Sequence, residues 1–247
     1  MNTERLPFIG RILIFLLIFA MIAASFTYLA QKYNSPSQAA QQSEAVSPIR
    51  CVVLDAGHGG EDGGAVSASG LVEKDINLQL TLLLRDLLVA NGVEVIMTRD
   101  TDTLLYDRTV DYHGRKKALD LAARKKIAEE TPNSVFVSIH MNTYPLPTCR
   151  GLQVWYSPNN KSSFEIAQQI QSTARSLLQP ENDRQVKAAG SSIYLLHHLQ
   201  TPAVLIECGF LSTPEEAERL ADTEYQRMLA FTVFLALMQS EIPVTES

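Results

Sequence analysis

The sequence predicts an α/β fold, a sheet of strands covered by helices, and three observations carry that reading. Apolar runs rich in β-branched residues end at residues able to bind metal or move protons. Val52–Leu54 runs into a Gly-rich turn at His58, Val135–Ile139 ends at His140, and Ala203–Ile206 ends at Glu207. Stretches with helical spacing of apolar residues separate these runs. Gly57, Gly59 and Gly60 flank the first histidine, where the backbone bends and leaves room for a close approach.

A chain of 247 residues with 46% hydrophobic content can bury one sizeable core. A formal charge of -6 and the lack of a long basic run argue against nucleic acid as a partner. Of the three cysteines, Cys51 and Cys208 sit in or beside apolar strands, where buried structural thiols are expected, and Cys149 does not. Export would permit a Cys51–Cys208 bridge. A nucleophilic Cys208 is the weaker reading, because Glu207 already accounts for that strand end.

Ile12 to Ala30 is apolar except for Ser25 and Thr27, about the length that a bilayer-spanning helix needs, and Arg5 and Arg11 precede it. Residues 1–30 are therefore expected to be a signal anchor that exports the rest of the chain. A cleavable signal peptide is the rival, since Ala23-Ala24-Ser25 supplies small residues. The run continues through Phe26, Tyr28 and Leu29, which favours the anchor. Residues 31–48, rich in Gln, Ser, Ala and Pro, read as a flexible linker. The catalytic domain is expected over 49–240.

From Asp75 onward Ile76, Leu80, Leu83, Leu84, Leu87 and Leu88 predict a helix closed by Asn91-Gly92. Val93–Thr98 reads as a strand. A charged helix from about Gly114 to Glu130 should turn Leu119, Ala122, Ala123 and Ile127 inward, with Arg115, Lys116, Lys117, Arg124, Lys125 and Lys126 on a solvated face. Gly151–Tyr156 reads as a strand and Ser163–Leu178 as an amphipathic helix. After the Glu207 strand, Pro214 starts a short helix. Thr223–Met238 forms the last, with Met228, Leu229, Phe231, Thr232 and Leu235 as its core face.

His58 and His140 lie on different strand ends, so a metal site must be assembled by the sheet rather than by one helix. A catalytic zinc needs a third ligand and an open fourth position, and Glu73, just before the first helix, is the best candidate. Zinc there would polarise a carbonyl and lower the pKa of a water, with Glu207 taking the proton and returning it to a leaving amine. The residues alone also allow blander roles: hydrogen-bonded structural histidines, and a Glu73 favoured by the helix dipole. His197 and His198 are adjacent and should face apart at the surface. His113 has no partner to recommend it.

Five stretches extend the pattern: Leu54-Asp55-Ala56-Gly57-His58-Gly59-Gly60, Glu73-Lys74-Asp75-Ile76-Asn77-Leu78, Thr98-Arg99, Val137-Ser138-Ile139-His140-Met141-Asn142 and Glu207-Cys208-Gly209-Phe210-Leu211-Ser212. In this order they resemble the zinc-dependent N-acetylmuramoyl-L-alanine amidases, over about Ile49 to Gln239. The resemblance implies a mixed, mostly parallel sheet with helices on both faces. It also implies His58, Glu73 and His140 as zinc ligands and Glu207 as acid/base, acting on the amide between muramic acid and L-alanine of peptidoglycan.

Within that family the chain is most similar to the germination-specific spore-cortex amidases, which implies a role in muramic δ-lactam formation ahead of a muramic acid deacetylase. The site of action would be extracytoplasmic, in the space between forespore and mother cell. The helix ending Ile127-Ala128-Glu129-Glu130 and the residue Cys208 depart from the usual pattern, without touching the ligands. The short loop between the Gly151 strand and the Ser163 helix leaves no room for an inserted autoinhibitory helix, and an external protein activator stays open.

Substrate contacts are expected from Asn142, through its amide, and from Arg184 and Lys187, through carboxylates of the peptide stem. Three functional classes remain: a membrane-tethered zinc amidase, a non-catalytic peptidoglycan-binding or regulatory module on the same fold, and a zinc peptidase or deacetylase with a similar metal set. The full set of ligand types together with Glu207 favours the first.

Overall fold

The structure, a computed structural model, describes residues 20, 21, 23–25, 27, 46–107, 109, 112–146 and 148–243. The chain divides into Met1–Glu44 and Ala45–Ser247. In the first unit only a helical piece within 20–27 is described, so most of the expected anchor and the linker up to residue 45 lie outside the described residues. Among the described residues no helix is long and apolar enough to cross a membrane.

The second unit is built on a six-stranded sheet in the order β3-β2-β4-β7-β5-β6. Its strands are β2 (Cys51–Ala56), β3 (Glu94–Met97), β4 (Val135–Asn142), β5 (Gln153–Tyr156), β6 (Lys187–Ala188) and β7 (Ala203–Phe210). β3, β2, β4 and β7 run parallel, β5 pairs antiparallel with β7, and β6 is parallel to β5. The sheet is thus mixed and mostly parallel. β1 (Val46–Pro48) and β8 (Glu241–Pro243) form a separate antiparallel pair. The domain accordingly begins before residue 49 and runs past 240. Neither short strand shows an alternation long enough to be read from sequence.

Alternation along the strands sends side chains to opposite faces. Val52, Leu54, Val137, Ile139, Val204 and Ile206 pack on one face against α1 (Glu73–Ala90), α3 (Lys161–Leu177), α5 (Pro214–Ala221) and α6 (Thr223–Met238). Val53, Phe136 and Leu205 pack on the other against α2 (Lys116–Glu129) and α4 (Tyr194–His198). Helices cover both faces, with the thicker layer on the first.

The helix faces differ from expectation in two places. On α6, Leu229 and Thr232 are buried as expected, but Met228 and Phe231 are 49% and 48% exposed, and Ala230, Val233, Phe234, Ala236 and Leu237 fill the rest of the core. That helix is apolar nearly all round, so periodicity could not fix which side turns inward. On α2, Asp120, Arg124 and Ala128 are the buried row, while Ala122 is exposed. Arg124, expected in solvent, is 1% exposed. The cysteine bridge does not form: β4 separates β2 from β7, and Cys51 and Cys208 are buried free thiols.

Arg124 is buried because its partners are. Its Nη1 donates to Asp55 Oδ1 at 2.6 Å and to Ala56 O at 2.8 Å, its Nε donates to Asp120 Oδ2 at 2.7 Å, and its Nη2 donates to His58 O at 2.7 Å. Asp55, itself 1% exposed, also accepts from Thr98 Oγ1 and Ser138 Oγ. Burial alone would raise the Asp55 pKa, but the Arg124 charge and the two hydroxyls hold it below the usual carboxylate range.

Arg124→Met is expected to cost about 3–5 kcal/mol, since two buried carboxylates lose their counter-charge, and urea unfolding reads the loss directly. The depressed Asp55 pKa contributes stability in full above its unfolded value of about 3.9, and that contribution is lost as pH falls through the folded value. Asp55→Asn should therefore flatten the acid limb of Tm against pH. An unchanged limb would show that Asp55 carries none of it.

Candidate active site

The C-terminal ends of β2, β4 and β7 bring the predicted site together. His58 follows β2 in a left-handed conformation, φ 62°, which is uncommon for a residue with a side chain. Two arginines hold the turn that carries it. Arg99 donates to Ala56 O at 2.9 Å and to Gly57 O at 3.0 Å, and Arg124 takes the carbonyls of Ala56 and His58. His140 lies on β4, and its Cα is in register with that of Glu207 on β7.

Glu73 is the first residue of α1 and is almost fully buried. Its Oε1 is 3.3 Å from His58 Nε2 and 3.1 Å from His140 Nδ1, and it accepts from Met141 N at 3.0 Å. Its Oε2 accepts from Ala65 N at 2.8 Å. Burial pushes the Glu73 pKa up, but hydrogen bonds from His140 and His58 and the charge of both rings win, holding the carboxyl far below its usual range. His58 is drawn the other way. Burial lowers its pKa, whereas Glu73 and then Asp62, whose Oδ1 is 2.9 Å from Nδ1, raise it on balance. That Nδ1 contact is close but out of line, for the atom has no hydrogen-bond partner of proper geometry.

The donor set suits a metal. Ligand atoms of His58, Glu73 and His140 lie within 4.8 Å of one another. Zinc–ligand bonds of about 2.0–2.1 Å in a tetrahedron separate neighbouring donors by about 3.3 Å. The two carboxylate–imidazole distances, 3.3 and 3.1 Å, match that edge. Three protein donors leave a fourth position for water or substrate.

Glu207 lines the same cavity as both histidines, a space of about 240 Å³ whose lining also includes Lys117 and Leu121 of α2, Ile193, and Tyr194 of α4. Its Oε2 is buried without a hydrogen-bond partner. Burial, with the charge of Glu73 adding to it and the histidines opposing, pushes its pKa up to about 7. Cys208 next door is fully buried and its thiol is pushed well above its ordinary pKa by burial, which suits an inert core residue. A larger cleft, about 520 Å³, opens around Arg50, Asn133 and Thr201, where β2, β4 and β7 begin, but none of the ligand residues lines it.

The predicted substrate contacts are not brought into the cavity. Asn142 lies past a register shift at the end of β4, with its carbonyl accepting from Leu211 N. Arg184 is engaged structurally: it donates to Arg150 O at 2.6 Å and lies 4.5 Å over the Phe210 ring. Lys187 sits on the edge strand β6, 5.3 Å over Trp155. His197 and His198 are exposed at the end of α4, as their adjacency suggested. Sequence reasoning missed Arg124. The available signal was Asp120 four residues before it, a spacing that pairs acid and base on one helix face.

Two glycines make the convergence possible. A Cβ on Gly57 would fall 2.3 Å from the His140 ring, and one on Gly64 would fall 2.5 Å from Glu73 Oε2. Gly57→Ala is therefore expected to displace the His140 ring, and a zinc ion held by these three residues would bind about 10–100-fold more weakly, as loss of ligand support does elsewhere. Competition against a chelator measures this. Wild-type affinity in the variant would show that the ring needs no such space.

Comparison with known proteins agrees with this geometry. The chain is 35% identical over 190 residues to the germination-specific N-acetylmuramoyl-L-alanine amidase of Bacillus subtilis, covering 77% of this chain and 79% of that one. It superposes on the CwlD amidase of Clostridioides difficile, solved in complex with the GerS lipoprotein, with a TM-score of 0.72, 37% identity, and coverage of 76% and 96%. The amidase AmiC2 of Nostoc punctiforme gives a TM-score of 0.64 at 30% identity, with coverage of 78% and 98%. The N-acetylmuramoyl-L-alanine amidase family model matches residues 52–239, and the chain belongs to that family of peptidoglycan-cleaving enzymes.

Proposed function

We propose that the chain is a zinc-dependent amidase that strips peptide stems from muramic acid in the spore cortex, preparing the sugar for a deacetylase that leads to the δ-lactam. The observation that carries the zinc reading is the convergence of His58, Glu73 and His140, the two histidines lining the cavity that Glu207 also lines. Similarity to a germination-specific amidase supports the cortex as the setting.

His58, Glu73 and His140 would hold the zinc. Zinc bound there supplies Lewis acidity, polarising the scissile carbonyl and bringing the pKa of a water toward neutrality. Glu207 does the proton work. Its unpartnered Oε2 takes the proton as water adds to the carbonyl, then delivers it to the L-alanine nitrogen as the C–N bond breaks. The products are a lactyl carboxylate on the sugar and a stem peptide with a free amine. A carboxyl poised near neutrality can serve in both directions at working pH.

The apolar stretch Ile12–Ala30 supports export and a membrane tether, with residues 31–45 as the spacer. That the C. difficile relative was solved with a lipoprotein supports an exported lipoprotein as the activating partner here too.

Purified chain loaded with zinc and incubated with peptidoglycan should release stem peptides that begin with L-alanine, read by mass spectrometry. Glu207→Gln should keep its zinc and lose about 10²–10⁴-fold in kcat. Retained zinc with no release from the wild type, even with sporulating-cell extract added, would sink the catalytic reading in favour of a binding module.

Glu207 must be ionised to accept the proton, so kcat/KM should rise with pH through its pKa. A bound dication draws that value down from about 7, placing the acid limb at or below neutrality. A limb that persists unchanged in the residual activity of Glu207→Gln would assign it to another group.

A further inference from the structure

We propose that Lys117 sets the substrate preference of this site by taking a carboxylate of the peptide stem, an inference that rests on the amidase reading above. The lining residues from the start of α4 and just before it, Ser192, Ile193, Tyr194 and Leu195, carry no charge. The α2 wall contributes two cations, Lys117 and Arg124. Arg124 has nothing to spare, since its nitrogens are committed to Asp55, Asp120 and the carbonyls of Ala56 and His58. Lys117 stands two turns earlier on the same side of the helix. Its side chain is 71% exposed, and its recorded ion pair, to Asp62 Oδ2 at 3.7 Å, is longer than a hydrogen bond.

Asp62 spends its Oδ1 on His58 and on Gly64 N, and its Oδ2 meets Lys117 only at 3.7 Å, beyond hydrogen-bonding range, so the ammonium is held by charge alone. The neighbouring Lys116 differs: it is paired with Glu61 and lies over the Tyr112 ring. Asp55 and Asp120 are matched by Arg124, which leaves the Lys117 ammonium as the lysine or arginine cation of this lining without a close hydrogen-bond partner among the described residues. An ammonium on a long flexible stem can follow an anion to its preferred place and bind it with a charge-assisted hydrogen bond. The ligand chemistry is that of a peptide bearing free carboxylates, which a muramoyl stem supplies.

The test compares two muropeptides that differ only in the stem, with carboxylates free in one and converted to amides in the other. The zinc-loaded full chain should prefer the free acid by about fivefold in kcat/KM, the scale of a partly exposed ion pair. Lys117→Gln should bring that preference close to unity, mainly through KM, and Lys117→Arg should retain most of it. Binding of the released stem peptide to metal-free protein, followed by calorimetry, should weaken about fivefold in Lys117→Gln and stay the same for the amidated peptide. Equal losses on both substrates, or a wild type without preference, would overturn the role of Lys117 and leave the amidase reading standing. Release from neither substrate by the wild type, with sporulating-cell extract added, would overturn both.

Discussion

The catalytic end of this molecule hangs on one buried ion pair, Arg124 Nη1 against Asp55 Oδ1 at 2.6 Å. Charges taken out of water cost several kcal/mol each, an amount offset only when every donor and acceptor finds a partner. Here each does. Asp55 draws Thr98, which follows β3, and Ser138 on β4 to the end of β2, while Arg124 docks α2 onto the same point. One carboxylate thereby couples three neighbouring strands to a helix. The remaining Arg124 donors reach the carbonyls of Ala56 and His58, so the turn that aims the first imidazole is held by the pair that locks the sheet.

The second constraint is space. Three ligand atoms can converge only if the backbone between them carries no bulk, and Gly57 and Gly64 stand where a methyl group would meet His140 and Glu73. Gly57 further donates its N–H to Ile139 O and offers its carbonyl to Asn77 and Arg99, so the residue without a side chain is pinned by its backbone alone. Such pinning keeps the left-handed His58 from relaxing to a more favourable conformation.

Much of this was legible in the sequence. Apolar strand runs ending at His58, His140 and Glu207 revealed both the sheet and the residues it delivers, because β-branched runs and ligand-type residues are signals carried by single positions. Helix orientation was less legible. Met228 and Phe231 on α6 and Arg124 on α2 were misplaced, since a counting of apolar positions sees neither the preferred side of a helix that is apolar nearly all round nor a charge whose partner lies 69 residues away in the chain. Arg184 and Lys187 were assigned to substrate on charge alone. Within the fold they meet the Arg150 carbonyl and the Phe210 and Trp155 rings, contacts from segments that only the folded sheet edge brings near.

Two glutamates in one small region show how environment divides the labour. Glu73 is surrounded by donors: two imidazoles, the Met141 and Ala65 N–H groups and the Asn77 amide. Each favours its anion, so it stays ionised although it is the more buried of the two, a state that would suit it to hold a metal. Glu207 meets the opposite surroundings. Its Oε2 has no donor, and the negative charge of Glu73 raises its proton affinity further. The ionised ligand thus helps hold its neighbour near the point where a proton can be both gained and lost. Pushing the pKa values of two like groups apart is how a single cavity supports a fixed charge and a mobile proton at once. The separation here follows from Glu73 standing at a helix start among backbone donors and Glu207 lying within β7 with its Oε2 beyond their reach.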